Sequence, residues 1–147
     1  MFNRLLKTSP DAAVTVARLV LGIVMFAHGA QKVLGWFGGY GFHGTMGFFT
    51  QQMHIPAAFA FLAICAEFLG GLGLILGLLG RVAAFGVACN MVVAVFMAHL
   101  PVGFFMNWYG AQKGEGYEYH LLAIALALVV MIKGSGAASL DGAIAKD

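Results

Sequence analysis

Charge is what this chain has least of. Lys, Arg, Asp and Glu make up 10% of its 147 residues, against about 25% in a soluble globular domain. That deficit excludes a solvated globule, and a mean hydropathy of +0.90 points to a membrane protein. The net charge of +2 comes from dispersed basic residues, so no nucleic-acid partner is expected. Soluble-enzyme motifs are missing too: there is no G-x-x-x-x-G-K loop, no G-x-S-x-G and no dinucleotide glycine fingerprint. The glycine-rich stretch GWFGGYG is an aromatic loop, not a phosphate cradle. Only two cysteines occur, Cys65 and Cys89, and no C-x-x-C, which excludes the adjacent dithiol of membrane disulfide oxidases. Counting along each span sets these two about 8 Å apart in depth, which argues against a bridge. Both read as small buried apolar residues.

Four apolar windows take up most of the sequence: residues 12–34, 57–79, 82–100 and 117–133. A helix needs roughly 20 residues to cross a bilayer core, and tilt or local thinning accommodates a shorter one. The expected fold is all-α, a four-helix transmembrane bundle forming one membrane domain over residues 1–147. The first window is too long for a signal-peptide core and is interrupted by Arg18, so it reads as a retained span. Basic residues in short loops mark the cytoplasmic side. With the N-terminus inside, Arg4, Lys7, Arg81, Lys133 and Lys146 all fall inside. Lys113 then lies in an outer loop and Lys32 marks the outer end of the first span. Both termini are expected to be cytoplasmic.

Local signals refine this frame. Ser9-Pro10-Asp11 reads as a helix start, with Ser9 the cap and Pro10 the first position. Residues 35–55 are too rich in glycine for a span and too apolar for a solvated linker. Their aromatics suit the membrane–water interface, where GFHGTMGFFTQQM can form a short helix. Ala60, Ala63, Glu67 and Gly71 share one helical face, and Gly73 and Gly77 are spaced for close helix contact. Gly80-Arg81 makes a tight inner turn, and after Lys133 the chain leaves the membrane as GSGAASLD.

Glu67 carries the strongest functional signal. A carboxylate in mid-span costs a few kcal/mol and persists only where it faces protein or a wet cavity. Arg18, Gly22, Met25, Gly29 and Lys32 form one stripe on the first helix, with His28 at its edge. Lys32, His99, Glu118 and His120 fall near the outer surface, His28 one turn deeper, Glu67 near the midplane, and Arg18 about 9 Å from the inner face. The inner half offers little beyond Arg18 and Asn90, a pattern that suits a small molecule or proton entering from outside. Three readings of Glu67 stay open. It pairs with Arg18 and locks two helices; it accepts a proton beside a redox cofactor or quinone; or it ligates a cation in a transport path. His28, His99 and His120 come from three helices, but no paired spacing supports a haem or metal, and no metal site is assigned. His43 and His54 are loop residues with no partner in view. On a straight helix Asn90 and His99 lie about 180° apart and do not line one cavity, and Glu118 and His120 also face different sides.

The segments RLVLGIVMFAHGAQKVLGWFGG, AEFLGGLGLILGLLGRVAA, HLPVGFF, GYEYHLLAIALALVV and GSGAASLD occur in this order over nearly the whole chain. In them the sequence resembles the DoxX family of small bacterial membrane proteins. The resemblance implies a four-helix bundle in the bacterial cytoplasmic (inner) membrane. It also implies an association with redox processes, since the family takes its name from a component of thiosulfate oxidation with quinone as acceptor. The family's recurring positions match Arg18, His28, Gly29, Lys32, Glu67, Glu118 and Tyr119.

The expected function is a multi-pass membrane component of a redox process, a subunit of a quinone-linked oxidoreductase, binding a quinone or similar hydrophobic carrier in the outer half. Glu67 and His28 are the candidate catalytic residues, and Arg18, Lys32, His99, Tyr119 and His120 the candidate cofactor-binding ones. Two other classes remain: a small-solute or proton transporter, and a non-catalytic scaffold for a redox partner protein. Membrane lipid, such a partner and further copies of the chain are the expected neighbours. The topology has a direct test. Reporter fusions at Thr45 and Gln112 should both report an outer location, and a cytoplasmic signal at either would overturn the four-span frame.

Overall fold

The computed structural model describes residues 5–145; Arg4 and Lys146, counted above as inner basic residues, lie outside the described residues. Six α-helices are described, and no strand occurs among the described residues. In chain order they are α1 (Ala12–Leu34), α2 (Gly41–Gly47), α3 (Ala57–Leu76), α4 (Gly80–Ala94), α5 (Glu118–Lys133) and α6 (Leu140–Ile144). Wide π turns prolong α2 over Phe48–Gln52 and α4 over Val95–His99. The four longest helices pack in a ring, α1 on α3, α3 on α4, α4 on α5 and α5 back on α1.

Three of these, Ala12–Leu34, Ala57–Leu76 and Gly80–His99, are long and apolar enough to cross a membrane. α5 has 16 residues, about 24 Å of helix against a hydrocarbon core of about 30 Å. Large apolar side chains such as Val20, Ile23, Leu62, Leu69, Phe85, Phe96, Leu122 and Ile132 face outwards, exposed. Inside the ring lie Leu21, Met25, Leu74, Val87, Met91, Ala127 and Val130. Helices that are apolar all round are what a lipid solvent selects.

Without a hydrophobic drive between helices in lipid, close packing needs small side chains. The α1–α3 contact has them. A Cβ on Gly29 would lie 2.5 Å from the Phe68 backbone, one on Gly71 2.5 Å from the Phe26 nitrogen, and one on Gly22 2.9 Å from the Ile75 nitrogen. Of the glycines expected to serve close contact, Gly77 does something else. It caps α3 at φ 66°, so the helix stops at Leu76 rather than Leu79. The start of α1 also differs. Asp11, not Ser9, is the cap, accepting from the Ala13 and Val14 amides, while the Ser9 amide is drawn away to the Lys133 carbonyl at 3.3 Å.

GSGAASLD is not a departing tail. Ser135 and Asp141 are buried, and Asp141 accepts from the amides of Leu79 (2.7 Å) and Gly80 (2.9 Å) and from the Ser135 hydroxyl (2.6 Å). The carboxylate thereby satisfies amides at the start of α4 that have no partner within the helix. Thr15 ties the same segment to α1 through the Ala137 carbonyl at 2.7 Å.

The glycine contact makes a clean prediction. Gly29→Ala should destabilise the fold by about 1–3 kcal/mol through overpacking. Gly47→Ala should be near neutral, because a Cβ there meets nothing within 4 Å. Thermal unfolding in detergent measures both, and equal midpoints would refute the close α1–α3 approach.

Candidate functional site

The glycine register brings Glu67 level with Gly29, one turn from Lys32. Lys32 Nζ meets Glu67 Oε2 at 2.5 Å, and Asn90 Nδ2 donates to Oε1 at 2.9 Å. Both carboxylate oxygens therefore have partners, and Glu67 is only 6% exposed.

The expected pair of Arg18 with Glu67 does not form. Arg18 lies at the opposite end, 1% exposed. It donates from Nε to the Ser135 carbonyl (2.7 Å), from Nη1 to the Leu74 and Ile75 carbonyls, and from Nη2 to the Ala138 carbonyl (3.2 Å). The cause is register: the α1 turn that carries Arg18 faces the C-terminal end of α3, where carbonyls lack helical partners. Arg81 serves α5 alike, donating to the Met131 and Ile132 carbonyls.

A cleft of about 1090 Å³ opens from Glu67. Its walls carry His28, Lys32, Asn90, His99, Tyr119 and His120 together with Phe59, Ala63, Ala94 and Met97 of the facing parts of α3 and α4. Phe48 and Phe49 of the π turn after α2 line it, as does His54, read above as a loop residue with no partner. A cavity this large and apolar, with a few polar groups on one side, has the character of a small-molecule site.

Asn90 and His99 share this cleft, against the helical-wheel expectation. An i→i+5 turn winds the chain less per residue than an α-helix, so wheel arithmetic no longer places a residue within it. Val95–His99 is such a turn. His99 thus reaches His120, ring centroids 4.0 Å apart and tilted by 40°, while its Nδ1 donates to the Glu115 carbonyl at 2.8 Å. Tyr119 lies 5.2 Å from His120 and 6.0 Å from His28, ring to ring. Glu118 does turn to another side, as expected of it, accepting from the Met106 amide and the Trp108 indole in the loop.

Of the seven candidate residues, six therefore line one cleft and Arg18 stands apart. Among the described residues no three His, Cys, Asp or Glu side chains come together as a metal site. Cys65 and Cys89 are both free and both line the cleft. The antiparallel register, with Ala66 against Gly86 and Glu67 bonded to Asn90, sets them nearer in depth than counting along separate spans did.

The model of the DoxX family matches residues 13–100. The chain belongs to the DoxX family. Arg18, His28, Lys32, Glu67, Asn90 and His99 fall within that segment, whereas Tyr119 and His120 lie beyond it. No curated protein and no solved structure matches the chain. It is a DoxX-family membrane protein with apolar helices.

The pairing has a double-variant test. Glu67→Gln alone should leave the Lys32 ammonium without a counter-charge and cost about 3 kcal/mol. Lys32→Met with Glu67→Gln should recover most of that loss, whereas Arg18→Gln with Glu67→Gln should only add two losses. Thermal unfolding of the singles and doubles reads this. Rescue by the arginine change in place of the lysine change would contradict the geometry.

Proposed function

We propose that this chain is a multi-pass protein of the bacterial cytoplasmic membrane, a four-helix bundle with both termini in the cytoplasm. It binds a quinone or similar hydrophobic carrier in the outer half, as the membrane component of a redox process. The observation that carries the reading is the cleft: a long apolar wall between α3 and α4 that ends in Lys32, Glu67, Asn90, His28, Tyr119 and His120. An apolar tail takes the wall. A ring carbonyl takes a donor, and the Lys32 ammonium keeps two hydrogens beyond the one given to Glu67. The Tyr119 hydroxyl is buried with no partner in the protein and offers another.

Glu67 is the group that accepts a proton as the carrier changes oxidation state, with His28 at the same wall. Arg18 has no place in carrier binding, since its donors are committed to carbonyls at the other end. The cleft's polar lining gathers away from that end, while its apolar wall continues along α4 to Val82 and Ala83.

Equilibrium binding of ubiquinone-1 to the detergent-purified protein tests the proposal. One saturable site is expected, and Ala94→Trp, which fills the cleft, should weaken it at least about tenfold, roughly 1.4 kcal/mol. Absence of saturable binding, or affinity indifferent to Ala94→Trp in a variant that still unfolds cooperatively, would overturn it.

A further inference from the structure

His99 closes the π turn Val95–His99 at the end of α4 and lines the cleft. Such turns are rare and concentrate at functional sites. His99 then stacks on His120, and its Nδ1 is committed to the Glu115 carbonyl in the exposed loop. A carbonyl only accepts, so this nitrogen bears the hydrogen and Nε2 keeps its lone pair. His120 is 6% exposed, yet its Nδ1 has no partner, and neither has the neighbouring Tyr119 hydroxyl. Leaving a buried polar atom unpaired costs about 1–3 kcal/mol. A polar cavity supplies the missing partner as water or ligand. The two atoms belong to adjacent residues that line the cleft, and each needs a partner that the protein does not supply.

We propose that His99, His120 and Tyr119 form a proton relay between the loop after α4 and the carrier bound beside Glu67. The inference rests on the carrier reading above. A quinone that gains two electrons from a redox partner protein must gain two protons to become the hydroquinone, and the reverse reaction releases two. In each passage a water at the loop gives a proton to His99 Nε2. A bridging water carries a proton from His99 Nε2 to one nitrogen of His120, and a second water carries one from the ring's other nitrogen to the Tyr119 oxygen. Neither His120 Nδ1 nor the Tyr119 hydroxyl has a partner in the protein. The original Tyr119 O–H bond breaks as its proton goes to the carrier oxygen. His99 and Tyr119 end as they began, and His120 ends as its other tautomer and resets by a ring flip. The hydroxide left by the donating water returns to bulk, and one proton has crossed. The charged and titratable groups around the row are His28 and Lys32 of α1, Glu67 of α3, Glu115 of the loop after α4 and Glu118 at the start of α5. Lys32 and Glu67 hold each other, and the two loop carboxylates accept from the amides of Asn107 and Met106.

The test uses the full chain in detergent with saturating ubiquinone-1. The bound quinone is reduced by a light-driven flavin donor, and proton uptake is followed with a pH-indicator dye. His99→Ala and Tyr119→Phe should each slow uptake about 100-fold, the loss of one proton-transfer group. Added imidazole should restore the rate in His99→Ala but not in Tyr119→Phe, a rescue that a purely structural role would not show. Unaltered uptake in both variants overturns the relay while leaving the carrier site standing. Slow uptake that imidazole does not restore, accompanied by a lowered thermal midpoint, assigns the stack to structure and also overturns it. Failure of the unaltered protein to bind ubiquinone-1 removes the carrier reading, and the relay with it.

Discussion

A carboxylate buried among apolar helices is the constraint on which the rest of this structure depends. Glu67 survives there because Lys32 and Asn90 occupy both of its oxygens, and an unpaired buried charge would cost several kcal/mol. Lys32 can reach it only if α1 and α3 hold one register. That register exists because Gly22, Gly29 and Gly71 let backbones approach where any Cβ would collide. Three residues without side chains thus position two with charge, and the cleft opens where the charged pair interrupts the apolar packing.

The opposite end solves a different problem by the same means. α3 and α5 finish there, so their last carbonyls lack helical partners, and α4 begins there with unpaired amides. Arg18 and Arg81 supply donors to the carbonyls, and Asp141 supplies an acceptor to the amides. Each charge sits at the helix end whose dipole favours it. The Arg18, Arg81 and Asp141 side chains are thus largely consumed by backbone, while Ser9 Oγ stays buried without a partner.

How much of this was legible in the sequence depends on the physical property each signal measures. Hydropathy and spacing located α1, α3 and α4 within a few residues, because lipid solvation is a local property of each segment. The short helix of GFHGTMGFFTQQM was legible for the same reason. The importance of Glu67 was legible from cost alone, but not its partner. Pairing depends on how two helices slide against each other, and the sequence shows the glycines without showing which backbone each one meets. His99 illustrates another limit: wheel arithmetic assumes 3.6 residues per turn, and one π turn overrides it. Ser135 and Asp141 were missed because GSGAASLD has the composition of a loop. The available signal was Asp141 itself, a carboxylate in an otherwise neutral segment whose best partners, the α4 amides, lie about 60 residues earlier.

The two ends spend their polar groups differently. At the Arg18 end the two guanidiniums of Arg18 and Arg81 are spent on backbone carbonyls. At the His99 end two buried polar atoms, on residues that line the cleft, have no partner in the protein. In a low-dielectric interior, unspent hydrogen-bonding capacity is costly and is retained only where something else takes it up. Unpaired capacity persists at both ends, Ser9 Oγ at the Arg18 end and His120 Nδ1 and the Tyr119 hydroxyl at the other, and only the latter two belong to residues that line the cleft.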